Sequence, residues 1–169
     1  MAASETPNES NLKRDKSRDR KLIGTVVAGK YKVLKILGQG GFGSVFVVEM
    51  TKGIIGDRLA MKILPAEFSK NTMLREQFLN EIRVAMKMVD AHIVQIRDVG
   101  VTEGDPEKGG SLLYYTMDYV EGKTLGELIK EEGTLSIWRA LRIARRLLPA
   151  LKVAHSAGII HRDLKPANI

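Results

Sequence analysis

Gly38-Gln39-Gly40-Gly41-Phe42-Gly43-Ser44-Val45 fits the pattern Gly-x-Gly-x-x-Gly-x-Val and joins two stretches that read as strands. Before it, Tyr31-Lys32-Val33-Leu34-Lys35-Ile36-Leu37 alternates; after it, Ser44-Val45-Phe46-Val47-Val48-Glu49-Met50 is β-branched and apolar. Glycines let a backbone approach phosphate oxygens closely and present N–H donors to them. Alone, the pattern fits a plain glycine-rich hairpin equally well. Its setting narrows the choice. A dinucleotide-binding fingerprint needs a helix directly after the glycines, and here a strand follows. A Walker loop needs Gly-Lys-Ser/Thr, whereas Gly43 precedes Ser44 and Val45. What survives is a strand–loop–strand flap.

Outward from the flap, Leu59–Leu64 gives a third strand, stopped by Pro65. Residues 72–89 show a helical period with Phe78, Ile82, Ala85 and Val89 on one face. Two further strand-like runs, Ile93–Val101 and Leu112–Val120, flank a polar loop at Thr102–Ser111; the loop around Gly53–Asp57 reads, like it, as surface variation. The pattern predicts an α+β fold: a small antiparallel sheet with one helix inserted after its third strand. Helical periodicity then returns. Thr124–Glu131 reads as a short helix closed by Gly133, and Ser136 as the cap of a long helix reaching about Ser156. In the long helix Ile137, Leu141, Leu148 and Leu151 belong to a wide apolar face, which implies burial among other helices. Pro149 should bend it or loosen a turn. Too little chain follows to cover that face, so the chain reads as incomplete.

Composition sets broad limits. Of 169 residues, 44% are apolar and 28% charged, which is ordinary for a globular protein. Aromatics make up only 5%, so the core should be aliphatic. The absence of cysteine excludes a disulfide framework and a Cys-ligated metal, and fits a reducing compartment. No run approaches the ~18 apolar residues of a membrane span. Met1–Lys21 has no apolar region of the kind a signal peptide needs, so a cytoplasmic location is expected. The net charge of +7 suits nucleic acid, an acidic membrane surface or phosphate-bearing ligands. Its distribution argues against the first two. Residues 12–21 hold six basic and two acidic groups, and Arg139, Arg142, Arg145 and Arg146 cluster on the long helix. Neither cluster interleaves aromatics for base stacking, so no nucleic acid is expected as a partner. Residues 1–25 read as a disordered charged tail, where Ser17 is either a phosphate acceptor or plain solvated chain.

Two more motifs carry chemistry. Ala60-Met61-Lys62 puts a lysine inside an apolar strand, where an ammonium is costly without a partner. Glu81 on the next helix is a candidate partner; the other reading is an edge-strand lysine facing water. His161-Arg162-Asp163-Leu164-Lys165-Pro166-Ala167-Asn168 follows the long helix and offers a carboxylate with a side-chain carbonyl five residues on. A polar loop built around Pro166 is the bland alternative.

With the three motifs in this order, the chain from Tyr31 to Ile169 resembles the N-terminal part of a bacterial-type serine/threonine protein kinase domain. The resemblance implies a kinase-like lobe at 26–120, then a hinge and partial helical lobe at 121–169. It implies ATP and Mg2+ as cofactors and a protein as substrate; the motifs encode neither that protein's identity nor an oligomeric state. Gly38, Gly40 and Gly43 would cover the ATP phosphates. Lys62 would bind the α- and β-phosphates when paired with Glu81, and Leu37, Val45 and Ala60 would sandwich the adenine. Met117 resembles the gatekeeper, and Asp118-Tyr119-Val120 the hinge whose backbone bonds the base. Asp163 would be the catalytic base, Lys165 would neutralise the transferring phosphoryl group, and Asn168 would ligate Mg2+. Lys165 is similar to the serine/threonine class in particular.

The sequence departs from the family pattern in two places. Asp90-Ala91-His92-Ile93-Val94 replaces the usual His-Pro-Asn-Ile-Val, so His92 reads as an ordinary packed or surface residue. No Asp-Phe-Gly follows Asn168 in these 169 residues, and little turnover is expected from them alone. The alternatives to an active kinase are a catalytically inactive kinase-like binding module and a non-functional gene fragment.

Overall fold

A strongly alternating set of buried residues organises the first half of the chain. In the computed structural model, which describes residues 16–40, 43–52, 57–65, 68–69, 71–103 and 110–169, six strands form one sheet. Residues 1–15 of the expected tail, the side chain of Ser17, Gly41 and Phe42 of the flap, and loop residues 53–56 and 104–109 lie outside that description. The strands are β1 (Val26–Val27), β2 (Tyr31–Gly40), β3 (Gly43–Met50), β4 (Arg58–Ile63), β5 (Ile96–Val101) and β6 (Leu113–Asp118), in the order β1-β2-β3-β4-β6-β5. The four pairings from β1 through β6 are antiparallel.

Period-two spacing explains the two faces. Tyr31 and Val33, Phe46 and Val48, and Met61 and Ile63 point to one side and, with Tyr114, make the core. Tyr31 and Tyr114 meet edge to face at 5.9 Å. The sheet curls over this core: the Tyr31 hydroxyl on β2 donates to Asp98 Oδ2 on β5 at 2.8 Å, although three strands separate them in the order. Burial, with that bond, pushes the Tyr31 pKa up to about 12. β3 is buried on both faces, as its near-continuous apolar run requires.

Within the charged stretch at the N-terminus, Lys16–Lys21 form a helix, α1, and Val26–Val27, at the start of the expected lobe, pair with β2. Leu22 packs on the core cluster and brings α1 with it.

Two compact units emerge, one of residues up to Leu79 with Arg97–Tyr119, the other of Asn80–Ile96 with Val120–Ile169. Helix α2 (Thr72–Ala85) contributes to both, and Asn71 caps it through its side-chain oxygen. Its expected apolar face ends early, for Val89 lies beyond the helix and is exposed. In the second unit α3 (Leu125–Glu132) starts with a capping box between Thr124 and Glu127 and closes at Gly133. Ser136 caps α4 (Ile137–Ser156), which is a single helix through Pro149. Its apolar face is largely uncovered, as expected: Ile137, Leu141 and Leu148 are exposed, and within the helix only Ala150 and Ala154 are buried. Among the described residues no helix is long and apolar enough to cross a membrane.

Candidate active site

The first unit gathers several expected nucleotide-binding residues on the sheet face opposite the core. Register places Val45 directly across from Lys62, and Ala60 across from Met117. Two residues apart on β4, Ala60 and Lys62 project from the same face. Lys62 is partly buried, and that desolvation holds its ammonium below the usual lysine range. Its Nζ stands 6.0 Å from the ring centre of Tyr115, its partner on β6. Tyr115 escaped the sequence reading, yet Met117 already implied it, because both lie on one side of β6.

At the flap, Gly38 pairs with Val45 and Gly40 with Gly43. A Cβ built on Gly38 or Gly40 would meet nothing within 4 Å among the described residues. These glycines leave room for a group from outside, which fits phosphate oxygens. Gly43 has φ +117°, a conformation that only glycine adopts cheaply. Leu37 is exposed at an irregularity of the β2–β3 register. Asp118, in the expected hinge, is engaged from β5: Arg97 Nε and Nη2 donate to its two oxygens at 2.5 and 3.0 Å. That fork was not legible, since β5 and β6 had no predicted register. The first unit ends at Tyr119 and the second resumes at Val120, which is exposed. Glu81 sits on α2, exposed, in the second unit.

The second unit also holds the loop after α4. Lys165 Nζ lies 2.9 Å from Asp163 Oδ2, and Asn168 Nδ2 donates to that oxygen at 3.1 Å and to the Asp163 carbonyl at 2.8 Å. The Lys165 bond, then that of Asn168, holds the Asp163 carboxyl below the usual aspartate range. A turn at Pro166–Asn168 brings these groups together, with the Asn168 N–H donating to the Lys165 carbonyl at 2.8 Å. The loop is seated on the start of α3. Leu125 N donates to Ile169 O at 2.7 Å, and a Cβ on Gly126 would lie 3.2 Å from Ala167 N. The protein-kinase-domain family model matches residues 31–169, the span holding all three motifs.

This chain belongs to the protein kinase family.

Among curated relatives, a probable serine/threonine-protein kinase of Clostridium perfringens is 36% identical over 148 residues, covering 88% of this chain and 20% of its own length. The serine/threonine-protein kinase PknA of Mycobacterium tuberculosis is 33% identical over 147 residues, covering 87% of the chain and 33% of PknA. The chain thus spans a fifth to a third of the curated kinases it matches. The crystal structure of the M. tuberculosis PknI kinase domain is similar with a TM-score of 0.69 at 29% identity, over 86% of this chain and 55% of that one. The likeness agrees with a kinase-type antiparallel sheet followed by the first helices of a helical lobe.

The kinase loop also shows which donors suit a metal. Among the described residues no group of three His, Cys, Asp or Glu could hold one. Mg2+ does not need such a cage, because it binds through few protein oxygens together with substrate phosphates. Asn168 commits its amide nitrogen to Asp163, which leaves its carbonyl oxygen as the hard donor. His92 is exposed and bonds only locally, its N–H donating to Asp90 Oδ1 at 2.8 Å.

Proposed function

We propose that this chain is the ATP-binding and catalytic-loop portion of a serine/threonine protein kinase, acting in the cytoplasm on a protein hydroxyl. The observation that carries the reading is the cluster of Asp163, Lys165 and Asn168, a carboxylate, an ammonium and an amide within hydrogen-bonding distance in one turn.

In this reading residues 26–120 are the nucleotide lobe, and 121–169 the hinge with the start of the helical lobe. Gly38, Gly40 and Gly43 cover the phosphates; Leu37, Val45 and Ala60 hold the adenine below them. Met117 is the gatekeeper, and the backbone of Asp118 and Val120 bonds the base. Lys62, with Glu81 as its acidic partner, binds the α- and β-phosphates. Asp163 accepts the proton of the substrate hydroxyl as its oxygen bonds the γ-phosphorus. The bond from that phosphorus to the β-phosphate oxygen breaks, and ADP leaves with the electron pair. Since Lys165 and Asn168 both occupy Oδ2, Oδ1 is the oxygen that takes the proton. Lys165 offsets charge on the moving phosphoryl group. Mg2+, held by Asn168 and the phosphates, supplies further charge neutralisation when bound.

The nucleotide half is tested by titrating the 169-residue chain with Mg-ATP. Binding that Lys62→Met weakens about tenfold is expected, the loss of one charged hydrogen bond; a chain that leaves Mg-ATP free sinks it. The transfer half is tested with the whole gene product and a generic protein substrate. Asp163→Asn should slow transfer by on the order of 10²–10⁴-fold, and full activity in that variant would remove Asp163 from its role.

A further inference from the structure

We propose that Asp19 is a positioning residue for the glycine-rich hairpin, its carboxylate tying β2 to β3 at the base of the phosphate flap. Helix α1 has the sequence Lys-Ser-Arg-Asp-Arg-Lys, and its one acidic residue is turned inward: Asp19 is 3% exposed, while Arg20 and Lys21 are exposed. A carboxylate leaves water only where donors replace it. Here they come from the flap. Gln39 Nε2 donates to Asp19 Oδ2 at 2.7 Å, and the fully buried Ser44 hydroxyl donates to the same oxygen.

Gln39 and Ser44 face each other across the β2–β3 ladder, in the last pair before Gly40 and Gly43. One oxygen therefore bridges the two strands one step from the glycines. Among the described residues nothing lies within 4 Å of a Cβ at Gly38 or Gly40, so packing there does not restrain the two strands as the Asp19 bridge does. Glycine loses the most conformational freedom on ordering, and a restraint there lowers the cost of presenting N–H groups to a phosphate. Asp19 is itself held in place. Leu22 packs on the core, Gly24 N donates to Val33 O at 2.8 Å, and Val33 N donates to Thr25 O at 2.9 Å. The segment before the kinase domain is thereby a built-in part of its phosphate site. The phosphate half of this inference rests on the nucleotide reading above; the tether does not.

The experiment compares the 169-residue chain with Asp19→Ala, Asp19→Asn and Gln39→Ala, in two arms. Without nucleotide, amide hydrogen exchange is followed at Gly38–Gly40 and Gly43–Val45. Asp19→Ala should speed it about tenfold there and leave β4 and β6 unchanged. Asp19→Asn, whose single carbonyl oxygen can accept both donors, should exchange as the parent does. Gln39→Ala, at an exposed position, should show a smaller rise in the same place. With nucleotide, Asp19→Ala should weaken Mg-ATP about tenfold and leave adenosine, which has no phosphates, unaffected. Unchanged exchange at the hairpin in Asp19→Ala, or equal acceleration of every strand, overturns the tether. Equal weakening of ATP and adenosine overturns its link to phosphate. A parent chain that binds neither overturns the nucleotide reading and the phosphate half with it, while the exchange arm still decides the tether.

Discussion

Asn168 holds Asp163 at two points, its side-chain amide donating to the main-chain carbonyl at 2.8 Å and to the carboxylate at 3.1 Å. One side chain thus fixes both where the aspartate's backbone runs and how its carboxylate turns. Lys165 reaches the same carboxylate oxygen, Oδ2, at 2.9 Å. Because Asp163 is exposed, none of this is needed to shelter a buried charge. The cluster orients the carboxylate, as the base role proposed for Asp163 would require.

The titration of Asp163 follows from the same contacts. Its carboxyl lies below the ordinary 3.8, first because of Lys165 and then Asn168. A depressed carboxylate pKa favours the folded state above the ordinary value, and that contribution fades as pH falls through the folded value. The acid limb of activity should therefore lie below the usual aspartate range. In Lys165→Met the Asp163 pKa, followed by carbon NMR of its carboxylate, should rise toward 3.8, and by less in Asn168→Ala. An unmoved titration in Lys165→Met would show that the ion pair is not the cause.

Much of this was legible because local pattern and fold agreed. Val33, Phe46, Val48 and Met61 keep a strict alternation, and their face is the core. Ser136 is the cap its residue type announces, while Thr124, expected as the first residue of the short helix, is instead its cap, paired with Glu127. Spacing alone could not supply partners set by tertiary register. Arg97 meets Asp118, and Tyr115 meets Lys62, only because β6 lies between β4 and β5. Asp19 was hidden for a different reason. A basic, polar hexamer carries no sign that one carboxylate turns inward, and Leu22, the anchor that makes it do so, lies outside the helix.

Lys62 should cost stability in the absence of ligand. Its folded pKa lies below the ordinary lysine value of 10.5, so the fold disfavours the charged form. That penalty is fully present at pH 7 and disappears as pH rises past 10.5. Tyr115 offsets little of it, since 6.0 Å is the outer range of a cation–π contact. Lys62→Met should raise the melting temperature at pH 7 by about 2 °C, allowing for the remaining solvent contact of the ammonium. The gain should vanish near pH 11 in parallel melts (roughly half a unit above the ordinary pKa). A lower melting temperature in the variant would mean that Lys62 is paired rather than merely desolvated.

Gly100 is required for packing. A Cβ there would stand 2.6 Å from the Tyr114 hydroxyl oxygen and 2.8 Å from its ring carbon, and Tyr114 is a buried member of the core. The ring cannot swing away without breaking its edge-to-face contact with Tyr31. Gly100→Ala should destabilise the chain by about 1–3 kcal/mol, the usual cost of overpacking a core, measured by urea unfolding. Gly100→Ala combined with Tyr114→Leu should recover part of that loss; a single variant as stable as the parent would count against the packing argument.

Gly126 sets two effects of similar size against each other. It lies in the first turn of α3, where alanine is better than glycine by at most roughly 1 kcal/mol and would normally stabilise. Its Cβ, however, would approach Ala167 N at 3.2 Å and Cα at 3.3 Å, and the obstacle is backbone, not a side chain that can rotate. A few tenths of an ångström must be found by moving the Pro166–Asn168 turn, the segment that carries Asn168 to Asp163. The helical gain and the displaced turn should nearly cancel in stability, leaving Gly126→Ala within about 1 kcal/mol of the parent. On the proposed reading, activity should be more sensitive than stability, because a shift of that size at a catalytic group costs far more in rate than in folding. The expected signature is a chain of parental melting temperature in which the Asn168 side-chain amide resonances move and the Asp163 pKa rises. Unaltered amide resonances with a higher melting temperature would mean that the loop absorbs the methyl group elsewhere, and that the close approach of α3 does not fix the Pro166–Asn168 turn.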